Sequence, residues 1–156
     1  MQLLFKQRFF TWFDSYDIYD EAENVMYTVE GQLAWGHKLH ILDRNGEHIG
    51  TVREVPLTFL PRFELYSGDA YVGCIRKEFS LFHPVFTVDC NDWQIEGDFM
   101  GWDYTLVDRD GNKVASVSKE LFHMTDTYVL NVERDEDALM VLMVVLAIDA
   151  EKCSNG

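Results

Sequence analysis

The fold of this chain is decided by the stretch Asp135-Glu136-Asp137-Ala138-Leu139-Met140-Val141-Leu142-Met143-Val144-Val145-Leu146-Ala147-Ile148-Asp149. Every side chain from Ala138 to Ile148 is apolar, so a helix formed here is hydrophobic around its whole circumference and must be buried on all sides. At a rise of ~1.5 Å per residue the apolar run is about 17 Å long, whereas a spanning helix must cross a hydrocarbon core of ~30 Å. We therefore expect a sheath of protein around this helix.

Charged residues flank the apolar run on both sides. The acidic residues Asp135 to Asp137 suit a helix N-terminus, where free backbone N–H groups and the positive end of the helix dipole favour negative side chains. Lys152 suits the negative end of the same dipole. The flanks therefore support a single helix that begins near Asp137.

The preceding chain, from Phe9 to about Val132, has the pattern of an all-β sandwich or barrel. Short aromatic and β-branched runs are broken about every ten residues by Gly, Asn, Asp or Pro. The predicted strands are Ser15–Asp20, Val25–Glu30, Lys38–Asp43, His48–Glu54, Arg62–Tyr66, Ala70–Lys77, Val85–Asp89, Trp93–Gly97, Tyr104–Asp108, Lys113–Val117 and Thr127–Val132. A short helix is predicted for Ser118–His123, with Ser118 as its cap.

An internal repeat links the two halves of this β region. Val29-Glu30-Gly31-Gln32-Leu33 returns as Ile95-Glu96-Gly97-Asp98-Phe99, and Leu42-Asp43-Arg44-Asn45-Gly46 returns as Val107-Asp108-Arg109-Asp110-Gly111. Because neither half carries a helix able to cover its apolar face, the C-terminal helix must serve both. Strands that curl around it form a closed barrel without exposed edges.

Composition and charge limit the classes of function. The chain has 156 residues, the size of one domain, and its 47% hydrophobic content is typical of a soluble globular protein. A net charge of −14 opposes binding to nucleic acid. Cys74, Cys90 and Cys153 form no CxxC pair, so we expect reduced thiols and a cytoplasmic protein. We also expect no signal peptide, no transmembrane segment and a monomer.

Several short motifs, taken in order, resemble the LURP-one-related family, which is similar to the Tubby C-terminal domain and the phospholipid scramblases. These motifs are Lys6-Gln7-Arg8-Phe9-Phe10, Ile18-Tyr19-Asp20, Tyr27-Thr28-Val29-Glu30-Gly31, Leu39-His40-Ile41-Leu42-Asp43 with Asn45-Gly46, and Asp137-Ala138-Leu139 running to Ile148-Asp149. The resemblance implies an all-β domain of roughly twelve strands, a closed β-barrel around a buried C-terminal helix. We predict one Tubby C-terminal-like domain over residues 1–156, with repeats at about 16–78 and 79–135 and the central helix at about 137–151.

Two functions from different classes are open, and the resemblance supports the second of them. The Tubby domain binds phosphoinositide headgroups through a basic pocket, and scramblase-like members are tied to phospholipids and calcium. Because no catalytic constellation is present and the buried helix fills the space that a barrel ligand would use, our first hypothesis is a non-catalytic cytoplasmic binding or scaffold module whose ligand is an unknown protein or small molecule. The alternative is a peripheral protein that binds a phospholipid or phosphoinositide headgroup. The two differ in whether scattered cations converge to form an anion patch, for which the candidates are Arg44, Arg53, Arg62, Arg76 and Lys77.

Enzymatic and metal functions have little support in the sequence. The GxSxG, P-loop, GxGxxG and HExxH motifs are missing, so we predict no catalytic residues and no cofactor. The segments Asp43–Gly46 and Asp108–Gly111 resemble fragments of a calcium loop, but strands flank them and favour hairpin turns. Surface or packing roles, rather than metal binding, are predicted for His37, His40, His48, His83 and His123.

The remaining candidates are apolar or contain sulfur. Cys74 and Cys90 are predicted to be small buried thiols. Barrel packing, rather than a ligand cage, is predicted for Trp12, Trp35, Trp93 and Trp102. The segment Pro56-Leu57-Thr58-Phe59-Leu60-Pro61 is predicted to be a rigid connector, whose apolar side chains are available to a partner or a bilayer if they are exposed.

Overall fold

A computed structural model describes residues 1–6, 15–32, 35–78, 85–98, 101–122 and 125–155. Twelve antiparallel strands close into one barrel, in which each strand pairs with its neighbours in sequence and β1 pairs with β12. The strands are β1 (Gln2–Phe5), β2 (Ser15–Tyr19), β3 (Val25–Gln32), β4 (Lys38–Asp43), β5 (His48–Glu54), β6 (Arg62–Ser67), β7 (Ala70–Glu78), β8 (Val85–Val88), β9 (Gln94–Asp98), β10 (Asp103–Val107), β11 (Lys113–Phe122) and β12 (Thr125–Val132).

The barrel encloses an α-helix near the C-terminal end of the described residues. A 3-10 turn at Asp135–Asp137 leads into α1 (Ala138–Asn155). From Val141 to Ile148 no side chain is more than 1% exposed, so the helix is buried around its whole circumference. Inward residues of the strands, among them Ile41, Leu65 and Leu130 at 0% exposure, complete the core. The predicted fold, a closed barrel around a buried C-terminal helix, is confirmed.

Two elements differ from the predictions. The strand β1 was not predicted, yet it pairs with both β12 and β2 and so closes the barrel. The short helix predicted for Ser118–His123 is wrong within the described residues, because β11 continues to Phe122 and pairs with β12 as far as Thr125. Cross-strand pairing overrides the local capping signal at Ser118.

The two Asp-Arg-Asn/Asp-Gly segments form hairpin turns, as predicted. The Asp43 carboxylate accepts hydrogen bonds from the backbone N–H groups of Asn45 and Glu47 at 2.8 and 3.0 Å, and Gly46 has φ +82°. Asp108 accepts the equivalent bonds from Asp110 and Asn112, both at 2.9 Å. Each carboxylate is therefore occupied by its own turn.

The positive φ of Gly46 gives a first testable prediction. We expect Gly46→Ala to lower the free energy of unfolding by about 1 kcal/mol, because a Cβ disfavours the left-handed conformation. A steric clash would not contribute to this loss of stability, since no atom lies within 4 Å of the position that the Cβ would occupy. Urea denaturation measures the change, and Asn45→Ala is the control, since Asn45 is not among the residues with positive φ. Equal effects of the two substitutions would contradict the backbone explanation.

The barrel has two distinct ends. At the turn end, where α1 begins, a Cβ on Gly50 would lie 3.3 Å from Leu139 Cδ1. At the loop end, where α1 finishes, Lys77 Nζ lies 2.8 Å from Glu151 Oε1. Acidic residues are concentrated in the tight turns of the turn end, namely 20–24, 89–92, 108–112 and 133–137. In the part of the chain that is described, no helix is both long enough and apolar enough to cross a membrane.

Candidate functional site

A groove lies on the outer face of β4, β5 and β6. Alternation along the strands creates it: Leu39 and Ile41 point into the core, so Lys38 and His40 point outwards. The groove has a volume of about 300 Å³. Its lining residues are Lys38, His40, His48, Thr51, Arg53, Tyr66, Gly68 and Asp69.

Two imidazoles form the centre of the groove. The rings of His40 and His48 stack with their centroids 4.2 Å apart. His48 Nε2 lies 2.8 Å from the carbonyl oxygen of Gly50 and 2.7 Å from Thr51 Oγ1. Because a carbonyl oxygen can only accept, Nε2 carries the proton, and in the neutral ring Nδ1 is the free acceptor.

The protonation of His40 depends on this arrangement. Burial is the main cause of a pKa below the usual histidine value, and the neighbouring His48 and Lys38 lower it further, while Glu30 opposes them. The ring is therefore mainly neutral at pH 7. An anion placed in the groove would favour the protonated ring and would gain a second positive partner beside Lys38.

Fixed positive charge in the groove comes from Lys38 and Arg53. Arg53 Nη1 donates to Glu64 Oε1 at 3.0 Å, and the Tyr66 hydroxyl donates to the same oxygen at 3.3 Å. Within the described residues, Lys38 forms no ion pair, although it faces Arg53 across the β4–β5 ladder. Lys38 is thus the available cation, and Arg53 is held by a carboxylate that a ligand must compete with.

The five residues of the predicted anion patch occupy four places. Arg53 lines the groove, whereas Arg62 and Arg76 lie opposite each other on the outer face of β6 and β7 near the loop end. Arg44 lies at the turn end, where its Nη2 donates to Met26 Sδ. Lys77 pairs with the buried Glu151 of the enclosed helix. Anion binding by these residues stays a prediction, and the structure brings only Arg53, Arg62 and Arg76 to the outer face of neighbouring strands.

The sequence did not single out Lys38, His40 and His48 as a group. Strand alternation places Lys38 and His40 on one face, but the β4–β5 bulge near Ile41 and Leu42 sets where His48 points. His37 lies outside the groove, with Nδ1 2.5 Å from Glu54 Oε2. Among the described residues no three metal-binding side chains cluster, and His83 and His123 lie outside them.

The thiols of Cys74 and Cys90 differ in their exposure to solvent. Cys74 is buried, as predicted, and its Sγ lies 3.1 Å from Arg62 Nε. Burial raises the pKa of the Cys74 thiol more than Arg62 lowers it, which disfavours a nucleophilic thiolate. Cys90 is exposed, so the prediction that it is buried is wrong. The cause is that β8 ends at Val88 and leaves Cys90 in the following turn.

The described tryptophans also differ in their exposure to solvent. Trp93 is buried, and Trp102 packs against Tyr128 with ring centroids 4.3 Å apart, as a packing role predicts. Trp35 is 74% exposed, so a packing role is wrong for it. Trp12 lies outside the described residues.

Comparison with known proteins points to one family. A family model described as LURP-one-related matches residues 1–149. An uncharacterised protein of Bacillus subtilis, YxjI, is 28% identical over 150 residues, which cover 96% of this chain and 92% of that protein. Protein LURP-one-related 3 of Arabidopsis thaliana is 22% identical over 87% of this chain and 72% of its own length. An X-ray structure of another Arabidopsis thaliana protein has the same fold, with a TM-score of 0.67 at 15% identity, covering 96% of this chain and 90% of that one.

Proposed function

This chain belongs to the LURP-one-related family, and from that premise we propose that it is a non-catalytic binding module that holds a small phosphate-bearing or similar anion in the β4–β6 groove. One observation carries the proposal. In a chain of net charge −14, the groove combines an unpaired Lys38 with two stacked imidazoles and two hydroxyl-bearing side chains. Lys38 supplies N–H donors at once, and each imidazole supplies a further N–H when an anion favours its protonated form, as binding of an oxyanion requires.

The hydrogen bonds of the groove favour binding over catalysis. Thr51 is the hydroxyl nearest to a histidine, but it is only 6% exposed. The His48 nitrogen that faces it carries a proton held by the Gly50 carbonyl, so this nitrogen is not free to accept the Thr51 proton. The pair therefore lacks the base that would activate a hydroxyl nucleophile.

Titration with inorganic pyrophosphate and glycerol phosphate tests the proposal. We expect these anions to shift the ring resonances of His40 and His48 in NMR spectra. Lys38→Met should weaken binding about fivefold, as loss of roughly 1 kcal/mol from one charge-assisted hydrogen bond predicts. Glu64→Gln should strengthen binding, because it releases Arg53. Arg44→Met, which removes a cation at the turn end, is the matched control.

The pH dependence has a definite sign. Because the pKa of His40 lies below its usual value without ligand, and an anion raises it, affinity for an anion that does not itself titrate near neutral pH, such as sulfate, should increase as pH falls from 7. A His40→Gln variant should lose this dependence. Unchanged ring resonances with every anion tested would contradict the proposal.

The same phosphate chemistry is presented by free phosphorylated molecules and by phospholipid headgroups. Binding of glycerol phosphate in solution would identify a soluble ligand. If only vesicles containing phosphatidylglycerol or a phosphoinositide bind, and His40→Gln weakens that binding, the ligand of the groove is a lipid headgroup. This second outcome is the peripheral lipid-binding function that the family resemblance implies.

A further inference from the structure

Three large apolar side chains project into solvent at the loop end. Leu57 and Phe59, in the β5–β6 loop, are 90% and 96% exposed, and Trp35, in the β3–β4 loop, is 74% exposed. The loops are in contact. The Glu54 N–H donates to the His37 carbonyl at 2.7 Å, and a Cβ on Gly36 would lie 3.6 Å from Pro56 Cδ.

The β5–β6 loop is held in a conformation that exposes these side chains. At its base, the Val55 N–H donates to the Arg62 carbonyl at 2.9 Å and the Lys77 N–H donates to the Pro61 carbonyl at 3.0 Å. Leu57 has φ +62°, a left-handed conformation that is costly for a bulky residue. A side chain that is 90% exposed gains almost no packing in return. Folding alone therefore does not account for Leu57.

Cations lie directly beside the apolar loops. Arg62 and Arg76 face each other across the β6–β7 ladder, an arrangement of like charges that is normally unfavourable. Among the described residues neither forms an ion pair with a carboxylate; Arg62 instead contacts Cys74 and Tyr71. Lys38 begins the strand that follows the Trp35 loop. In a chain with 27 acidic and 13 basic residues, such an unneutralised group requires an explanation.

We propose that the loop end of the barrel docks on an anionic bilayer surface, with Trp35, Leu57 and Phe59 in the interfacial layer and Arg62, Arg76 and Lys38 among the headgroups. Tryptophan, leucine and phenylalanine beside arginine and lysine are the composition of interfacial membrane anchors. The apolar side chains stand on separate loop tips, and a fluid bilayer accommodates such tips without a matching pocket.

The overall negative charge permits this orientation because it is unevenly distributed. The acidic turns 20–24, 89–92, 108–112 and 133–137 lie at the opposite end of the barrel. Exposed charges farther away than the Debye length of ~8 Å are largely screened at physiological salt. The described carboxylates of the loop end include Glu54, Glu78 and Asp98, and these accept hydrogen bonds from His37, Thr87 and Gly101, respectively. Arg62 and Arg76, which form no ion pair among the described residues, therefore remain available to lipid at short range.

Apart from Lys38, which belongs to both sites, the docking surface and the groove are formed by different residues, and the two proposals fail separately. Loss of Leu57 and Phe59 leaves the groove residues in place. Loss of His40 or Glu64 leaves the apolar loops in place. Binding of soluble anions thus reports on the groove, whereas the effect of the loop substitutions on vesicle binding reports on the docking surface.

Cosedimentation of the whole chain with vesicles tests the docking surface. The vesicles contain phosphatidylcholine alone or phosphatidylcholine mixed with phosphatidylglycerol. We expect binding to the mixed vesicles, reduced about tenfold or more by Leu57→Gly/Phe59→Ser. Glycine accepts the positive φ of residue 57, so Leu57→Gly removes the side chain without backbone strain. Arg62→Gln/Arg76→Gln should lower binding by about fivefold per charge and weaken its salt dependence.

Two controls separate a bilayer from a protein partner and from unfolding. Phe59→Leu should retain most of the vesicle binding, because insertion requires apolar area rather than a particular shape. Arg44→Gln, at the turn end, should leave binding unchanged, and thermal melting should show that each variant is folded. Absence of wild-type binding to mixed vesicles, or equal binding by wild type and Leu57→Gly/Phe59→Ser, would overturn the proposal. Loss of binding in the folded Phe59→Leu variant would also overturn it, in favour of a shape-specific pocket.

Discussion

Val144→Asp is expected to abolish folding. Val144 lies in the middle of α1 with 0% exposure, surrounded by the barrel on every side. A carboxylate at this position loses its hydration, at a cost of several kcal/mol even after relaxation. The whole domain is expected to be stable by only about 5–15 kcal/mol, and the substitution also removes packing at the centre of the core. Circular dichroism and urea denaturation should therefore show no cooperative transition.

Two control variants distinguish a buried charge from a general sensitivity to substitution. Val144→Ala shortens the same side chain without adding charge and should remain folded, with a loss of about 2 kcal/mol. Ala22→Asp adds the same carboxylate in an exposed turn and should unfold like the wild type. A soluble Val144→Asp protein with a wild-type transition would show that α1 is not enclosed by the barrel in solution.

The sequence was sufficient to predict the enclosed helix because no polar residue interrupts its apolar run. An uninterrupted apolar run from Ala138 to Ile148 leaves no face for water, and its length is too short for a bilayer. The tight turns were equally readable, since Asp43 and Gly46 supply the side-chain acceptor and the positive φ that a hairpin needs. Strands with clear alternation, such as β4 and β5, were located at their observed bounds.

Other elements depend on contacts that are distant in sequence. The four residues of β1 form a strand because β12 and β2 flank them, and such a short segment carries no local signal. The extension of β11 to Phe122 likewise depends on its pairing with β12. In both cases tertiary pairing, rather than propensity, sets where the strand begins or ends.

The candidate site was harder to predict than the fold, for a geometric reason. Lys38, His40, His48 and Arg53 are ordinary surface residues when each strand is taken alone. Their convergence depends on the β4–β5 register, which pairs Lys38 with Arg53 and His40 with Thr51. A bulge in that ladder then determines the position of His48. Composition indicates the total charge, but only the register shows where the few cations meet.

The apolar pattern of α1 did not predict that a charged side chain, Glu151, would be buried inside the barrel near the loop end. The apolar run stops at Ile148, yet the helix continues to Asn155 and Glu151 is only 4% exposed. Lys77 makes this burial tolerable, since its Nζ lies 2.8 Å from Glu151 Oε1 and is itself 26% exposed. The pair joins β7 to the enclosed helix across 74 residues of sequence.

Lys77→Met is therefore expected to lower the free energy of unfolding by about 3 kcal/mol or more, since it removes the cation that lies 2.8 Å from a buried carboxylate. The double variant Lys77→Met/Glu151→Leu should recover most of that loss, because apolar side chains replace both charges. Lys113→Met is the matched control: its partner Glu133 lies 3.3 Å away, but both side chains are about half exposed, and the effect should stay below about 1 kcal/mol. Urea midpoints for the four proteins, with m-values compared, measure these differences. If Lys77→Met costs no more than Lys113→Met, the stability of the domain does not depend on the Lys77–Glu151 pair.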